Sequence, residues 1–232
     1  MLNIKAYIPN SITCCNLISG TIACVMALYG PEQVGSLTGW QWAFISIAAA
    51  AVFDFADGAM ARLLHAYSDL GKQLDSLSDL ISFGLAPTLM MYSVMRSADA
   101  APVWWFFPLF IVVCGAMRLG KFNIDTRQTK SFIGLPIPAN AIFWIGVTAW
   151  CTTYGVPSPW ILAVIIVLES LLMVSSIRMF SLKFANFDWR ENFRRYLIIA
   201  AAILFVVTNG LSGLAWTILL YILISAVGRK EV

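Results

Sequence analysis

Charge is scarce in this 232-residue sequence. Only 12% of the residues are charged and 60% are hydrophobic, which excludes an ordinary soluble domain of this length. The formal net charge of +3 is too small to indicate a nucleic-acid partner. The composition therefore predicts an integral membrane protein that does not bind nucleic acid.

Histidine and paired cysteines are also lacking. His65 is the single histidine, and it falls in a short polar connection, where a solvated loop residue is the simpler interpretation than a metal ligand. The five cysteines lie inside apolar runs and show no spacing typical of a zinc or redox site. We expect them to be buried free thiols.

Apolar runs long enough to cross a hydrocarbon core recur along the whole chain, and no polar stretch is long enough to fold separately. We therefore predict a single all-α domain over residues 1–232, a bundle of about eight transmembrane helices. The candidate helices lie near residues 10–29, 41–63, 76–95, 103–119, 136–154, 158–175, 195–209 and 212–227. The last two are short, and a re-entrant pair after six spans is the alternative.

The distribution of positive charge predicts the orientation. With eight spans and an internal N-terminus, all of the 15 lysines and arginines except Arg96 fall on one side of the membrane. Because cytoplasmic loops accumulate these residues, we expect both termini in the cytoplasm, with the inner membrane of a bacterium as the location.

The segment DFADGAMARLLHAYSDLGKQLDSLSD, from Asp54 to Asp79, carries acid where a membrane helix tolerates it least. Each carboxylate deep in a span costs about 2.5 to 3.5 kcal/mol on insertion scales. Helical spacing places one set of its residues on one face of the second helix and another on one face of the third. The first set is Asp54, Asp57, Gly58, Ala61 and Arg62, and the second is Gly71, Asp75 and Asp79.

Four carboxylates brought together repel one another unless positive charge lies between them. Oxygen ligands without clustered His or Cys suit hard cations such as Mg²⁺ or Mn²⁺, and the count of carboxylates fits a pair of ions. The small residues on the same faces leave room for a diphosphate, and metal ions against a diphosphate support displacement at phosphorus. The alternative is a helix-packing face, with Asp and Arg paired for topology or for an ion pathway.

These residues match the signature of the CDP-alcohol phosphotransferase family, DxxDGxxARx8GxxxDxxxD, at all eight fixed positions of segment 54–79. The resemblance implies a cytoplasm-facing active site with two divalent cations, Mg²⁺ or Mn²⁺, on Asp54, Asp57, Asp75 and Asp79. It also implies that Asp79 is the catalytic general base. The residues implied to contact the CDP group are Asn10, Thr13, Gly58, Ala61, Arg62, Ser68 and Gly71. Without the family, Asn10 and Thr13 would be ordinary caps of a first helix.

Stretches outside the signature resemble the phosphatidylserine synthase branch of that family, among them RLGKFN from Arg118 and FIGLPIPAN from Phe132. This resemblance implies transfer of a phosphatidyl group from CDP-diacylglycerol to L-serine by a homodimer surrounded by membrane lipid. Arg118, Lys121 and Asn123 are the candidate serine-binding residues, since Arg can clamp a carboxylate. Alternatively, Arg118, Lys121, Arg127 and Lys130 only set topology or contact headgroups.

Two other functions stay open at this point. The same chemistry is compatible with glycerol 3-phosphate or an inositol phosphate as acceptor, and both of these would demand a denser basic pocket than serine does. A cation transporter using the four aspartates is the alternative of another class, although transport sites tend to lie near the membrane midplane.

Overall fold

The fold is a bundle of helices, joined by short turns and two small β-ladders. The computed structural model describes residues 4–98, 101–124, 132–180 and 188–227. The helices are α1 Ile4–Tyr29, α2 Gly39–Leu63, α3 Asp69–Asp79, α4 Ala86–Ser97, α5 Leu109–Ile124, α6 Ile137–Tyr154, α7 Pro159–Val174, α8 Trp189–Asn209 and α9 Gly213–Val227. The strands are β1 Gln33–Val34, β2 Leu37–Thr38, β3 Phe132–Ile133 and β4 Arg178–Met179, and β1–β2 and β3–β4 pair antiparallel.

Irregular helical turns interrupt or precede three of these helices. A π-helical segment, Leu80–Leu85, joins α3 to α4, so that Asp69–Ser97 forms one continuous helical stretch. Short 3₁₀ turns at Pro102–Phe106 and Gly210–Ser212 precede α5 and α9. The second of these turns, with Gly210 at φ 61°, lies between α8 and α9, which pack against each other.

Within the described part of the chain, 5 stretches are long and apolar enough to cross a membrane. They are Tyr7–Tyr29, Gly39–Leu63, Asp69–Ser97, Pro102–Ile124 and Asn192–Val227, and the last contains both α8 and α9. Helices α6 and α7 are shorter. The prediction of an all-α integral membrane protein is confirmed, whereas the number of eight transmembrane helices stays a prediction.

Large apolar side chains cover the outside of the bundle in helical stripes. On α1, Ile18, Ile22 and Val25 are each about half exposed, and on α7 the same holds for Val164 and Leu168. Stripes of this extent are unusual on soluble proteins but match a lipid-facing surface.

All five cysteines are free thiols. The prediction that they are buried is right for those at 24, 114 and 151. It is wrong for those at 14 and 15, which are exposed on α1.

The predicted starts of the first and third helices are late by more than a turn, as is the start predicted at residue 195, since α8 begins at Trp189. The third helix begins at Asp69 and not near residue 76, because Ser68 accepts a hydrogen bond from the backbone N–H of Gly71 and so caps a polar first turn. The first helix begins at Ile4, so Asn10 and Thr13 lie inside it and the interpretation as caps is wrong.

Helices α6 and α9 approach most closely at Gly146. A Cβ built at Gly146 would collide with the backbone nitrogen of Ala215 and lie 2.9 Å from its Cα. We expect Gly146→Ala to lower the free energy of unfolding by about 1 to 3 kcal/mol, because overpacking forces backbone shifts. Thermal unfolding in detergent measures this, with Gly120→Ala in α5 as the control, since no atom of the described residues lies within 4 Å of its Cβ position. Equal melting temperatures for the two variants would contradict the close approach.

The turn between α2 and α3 brings the two acidic faces together. Leu64 to Ser68 reverse the chain, with His65 at φ 49° and the N–H of Ala66 bonded to the carbonyl of Ala61 at 3.0 Å. Helix α1 packs along α2 and against α3 and the π-helical segment. The active-site candidates therefore lie at one end of a three-helix group formed by α1, α2 and α3.

Candidate active site

A cleft of about 720 Å³ opens between α1, α2 and α3. Seven signature residues line it, as the helical spacing predicts: Asp54, Asp57, Gly58, Ala61, Arg62, Gly71 and Asp75. The cleft is also lined by the three other residues expected to contact the CDP group, Asn10, Thr13 and Ser68. The cleft thus gathers the predicted nucleotide-binding residues and three of the four predicted cation-binding residues, whereas Asp79 is not among the residues that line it.

The carboxylates form a tight group at this cleft. Oxygens of Asp54, Asp57 and Asp75 all lie within 4.8 Å of one another. Asp79 lies one helical turn beyond Asp75, and the carboxylate of Asp54 is within hydrogen-bonding reach of both. All four aspartates therefore meet around Asp54.

Helix α1 supplies polar partners to this group. The hydroxyl of Thr13, which is buried, donates to Asp57 Oδ2 at 2.6 Å and also lies 3.0 Å from the carbonyl oxygen of Pro9. The amide of Asn16 lies 3.4 Å from Asp79 Oδ1. One helix thus contacts an aspartate from each acidic face.

The two signature glycines serve different needs. A Cβ at Gly71 would lie 2.9 Å from Asn10 Oδ1 and 3.0 Å from Ser68 Oγ, so this glycine permits close packing of α3 against α1. Among the described residues, a Cβ at Gly58 would meet Arg62 Nη1 alone, at 3.7 Å. Gly58 therefore keeps space free in the cleft beside the exposed guanidinium of Arg62.

The three candidate serine-binding residues do not form one group. Arg118 is buried, and its guanidinium lies close enough to Asp79 to interact electrostatically, 5.7 Å from the centre of the Phe122 ring. Its Nε has no hydrogen-bond partner among the described residues. Lys121 instead lies 3.5 Å from the carbonyl of Val174, and the Asn123 amide donates to Ser76 Oγ at 2.9 Å. Of the three, Arg118 alone is seen next to the aspartates, while Arg127 and Lys130 lie outside the described residues.

Sequence reasoning missed two buried polar residues beside the aspartates, Asn16 and Ser82. Both are fully buried, and Ser82 bonds to Asn16; Ser78 is equally buried but bonds to the α1 backbone, at the carbonyl of Thr13. The signal for Asn16 was its place within an apolar helix, one turn after Thr13. Because a buried amide must be hydrogen-bonded, that position alone indicates a polar partner on a neighbouring helix.

The donor set fits divalent cations. Carboxylates as close together as these repel one another unless a proton or a cation lies between them. All ligand atoms in the group are oxygens, which Mg²⁺ and Mn²⁺ prefer, and the adjoining cleft is wide enough for further oxygen ligands from a phosphate.

Comparison with known proteins agrees with this geometry. A model of the CDP-alcohol phosphatidyltransferase family matches residues 6–174. Three relatives carry the name CDP-diacylglycerol–serine O-phosphatidyltransferase. The Methanocaldococcus jannaschii protein is 35% identical over 180 residues, which cover 77% of each chain, and the Bacillus subtilis protein is 40% identical over 133 residues, 57% of this chain and 70% of its own. The Mycobacterium leprae protein is 34% identical over 183 residues, 74% of this chain but only 57% of its own length.

Proposed function

This chain belongs to the CDP-alcohol phosphatidyltransferase family, and we propose that it transfers the phosphatidyl group of CDP-diacylglycerol to L-serine, giving phosphatidylserine and CMP. The observation that carries this proposal is the group of aspartates from two helices on a cleft of nucleotide size. The names of the three relatives support serine as the acceptor.

In the proposed mechanism, Asp54, Asp57, Asp75 and Asp79 would hold two divalent cations, which would supply positive charge against the diphosphate and the developing negative charge. Asp79 takes the proton from the serine hydroxyl. The hydroxyl oxygen then forms a bond to the phosphorus that carries diacylglycerol, while the bond from that phosphorus to the oxygen of CMP breaks.

The walls of the cleft suit the two halves of the lipid nucleotide. Gly58 and Ala61 leave room for the phosphates, and the exposed guanidinium of Arg62 supplies positive charge beside them. Phe55 also lines the cleft and is 74% exposed, so the cleft has an apolar side that opens toward the lipid-facing surface. We propose that the acyl chains enter on this side while the nucleotide lies against Asn10, Thr13, Ser68 and Gly71.

We also propose that the cleft opens to the cytoplasm, in the inner membrane of a bacterium, and that the chain forms a homodimer. Lys72, Lys121 and Arg62 lie at the same end of the bundle as the aspartates, as the distribution of positive charge predicts. Arg96 comes about 25 Å further along the helical stretch from Asp79, at 1.5 Å per residue. Its guanidinium packs over Tyr92 and Trp105, a typical arrangement for the opposite membrane interface. The dimer is proposed from the family resemblance.

The test is an acceptor assay with purified protein in vesicles. We expect CMP release from CDP-diacylglycerol in the presence of Mn²⁺ and serine, loss of release after EDTA treatment, and recovery when Mn²⁺ is restored, because the carboxylate group needs a cation to bind diphosphate. Labelled serine, glycerol 3-phosphate and an inositol phosphate are compared as acceptors. Phosphatidyl transfer to either phosphate-bearing acceptor in place of serine would overturn the substrate assignment. Metal flux into the vesicles without CMP release would favour a transporter.

A further inference from the structure

A short chain of side-chain contacts links α1 to Asp79. The hydroxyl of Ser82 donates to Asn16 Oδ1 at 2.7 Å, and Asn16 Nδ2 lies 3.4 Å from Asp79 Oδ1. Asn16 and Ser82 are both fully buried. From this geometry we propose that Asn16 and Ser82 are positioning residues, which fix the direction of the Asp79 carboxylate for the reaction.

The Ser82 hydroxyl lies within hydrogen-bonding distance of two oxygens of Asn16, 2.7 Å from the side-chain Oδ1 and 3.2 Å from the backbone carbonyl, and the shorter contact favours one direction of the Asn16 amide. A carboxamide has an acceptor oxygen on one side and a donor nitrogen on the other. When the Ser82 hydroxyl donates to the oxygen, the nitrogen is left to face the carboxylate of Asp79. The reversed amide would place its oxygen against an oxygen of Asp79, which is repulsive when that carboxylate is ionised or binds a cation.

The backbones of α1 and of the π-helical segment approach closely enough for Ser82 to reach Asn16. Gly20 lies one turn after Asn16 on α1, and a Cβ there would collide with Ser82 Oγ and lie 2.8 Å from Ser82 Cα. Ser82 itself belongs to the π-helical segment Leu80–Leu85, a wide helical turn of a kind that is frequent at functional sites. The absent side chain at Gly20 and the wide turn together permit the contact.

The contact with Asn16 fixes the orientation of the two carboxylate oxygens of Asp79. Asn16 approaches Oδ1 from α1 and can donate to it. With one oxygen engaged in this way, the carboxylate cannot rotate freely about its Cβ–Cγ bond, so each oxygen keeps one direction. This inference rests on the proposed function, in which Asp79 accepts the proton of the acceptor hydroxyl.

The test compares Ser82→Ala and Asn16→Ala with Ser78→Ala. Ser78 is the matched control, because it is equally buried on the same helical stretch and also bonds to α1, at the carbonyl of Thr13, without contacting Asn16. We expect kcat to fall about 10-fold in Ser82→Ala and Asn16→Ala, with the KM values for both substrates within about two-fold of wild type, as for residues that orient a reacting group. The Ser78→Ala variant should keep the wild-type kcat.

The double variant Asn16→Ala/Ser82→Ala separates positioning from packing. Since Ser82 acts through Asn16, removing both should cost no more in kcat than removing Asn16 alone. Additive losses, or an equal loss in Ser78→Ala, would overturn the proposal. If Asn16→Ala does not fold, the comparison of Ser82→Ala with Ser78→Ala decides.

A second readout is Mn²⁺ binding to the protein alone, followed by electron paramagnetic resonance. We expect about 10-fold weaker binding in Ser82→Ala and unchanged binding in Ser78→Ala, because a misdirected Asp79 is a poorer ligand. If the wild-type protein transfers no phosphatidyl group to any alcohol, the proposed function fails, and the Mn²⁺ comparison still tests the positioning role. Unchanged Mn²⁺ affinity in Ser82→Ala, together with unchanged kcat wherever turnover exists, would refute it.

Discussion

Replacing Asp79 with asparagine should lower kcat by about 10³-fold or more, since the side chain then keeps its shape but cannot accept the proton of the acceptor hydroxyl. The amide would also bring an N–H group to a position where an oxygen of Asp79 faces Asn16 Nδ2 or Asp54 in the wild-type protein. Steady-state CMP release in vesicles measures the loss. Binding of CMP at saturating Mn²⁺ should be largely retained, because Asp54, Asp57 and Asp75 still lie together at the cleft.

The control is Asp69→Asn. Asp69 lies on the same cleft and the same helix, but in the exposed first turn of α3, away from the group around Asp54. We expect this variant to keep most of its turnover. Substantial turnover by Asp79→Asn would remove Asp79 from the role of base, and an equal loss in both variants would indicate a general effect of acidic charge at the cleft.

The acidic site could be predicted from the sequence because its arrangement depends on residues that are close together in the chain. Residues three and four apart share a helix face whatever the helix packs against, so the positions of Asp54, Asp57 and Arg62 on one wall follow from spacing alone. The approach of the two walls follows from the short turn before Asp69. Helical periodicity and the cost of buried charge were therefore sufficient for this part.

The contacts from α1 were not predictable in the same way. That Asn16 faces Asp79 depends on the register of α1 against the third helical stretch, which is set by the close approach of Gly20 to Ser82 and by the π-helical turn. Neither feature leaves a pattern within one helix. The start of α3 was missed for a different reason, since an apolar window discards a polar first turn although Ser68 and Asp69 are a typical helix start.

The candidate serine-binding residues show that residues close together in the sequence need not lie together in the site. Arg118, Lys121 and Asn123 are close in sequence, but Asn123 lies on a different face of α5 from Arg118, since only residues three or four apart share a face. Lys121 does share the face of Arg118, and the two separate because the long side chain of Lys121 reaches the carbonyl of Val174. The structure accordingly places Lys121 at the end of α7 and Asn123 against α3. Arg118 is left as the one candidate that faces the aspartates.

Replacing Arg118 with lysine should raise the KM for serine about 100-fold, with a smaller change in the KM for CDP-diacylglycerol. The guanidinium is buried within electrostatic reach of Asp79, and its Nε has no hydrogen-bond partner among the described residues. A buried donor without a partner is costly, and the carboxylate of serine would supply one. Lysine keeps the charge but loses the planar pair of donors that grips a carboxylate from two sides, so the replacement is not conservative here.

The control for this role of Arg118 is the variant Lys121→Gln, whose KM for serine is compared with that of Arg118→Lys. Lys121 lies one turn further along α5. Lys121 is exposed and contacts only the backbone carbonyl of Val174 among its described hydrogen bonds, so its loss should leave the KM for serine near the wild-type value. Ethanolamine, which has the hydroxyl and ammonium of serine without the carboxylate, gives an independent reading. If Arg118 binds the carboxylate, ethanolamine should be a poor acceptor for the wild-type protein. Arg118→Lys should then reduce the difference in kcat/KM between serine and ethanolamine. A KM for serine that rises in Lys121→Gln and not in Arg118→Lys would place carboxylate recognition at the end of α5 facing α7.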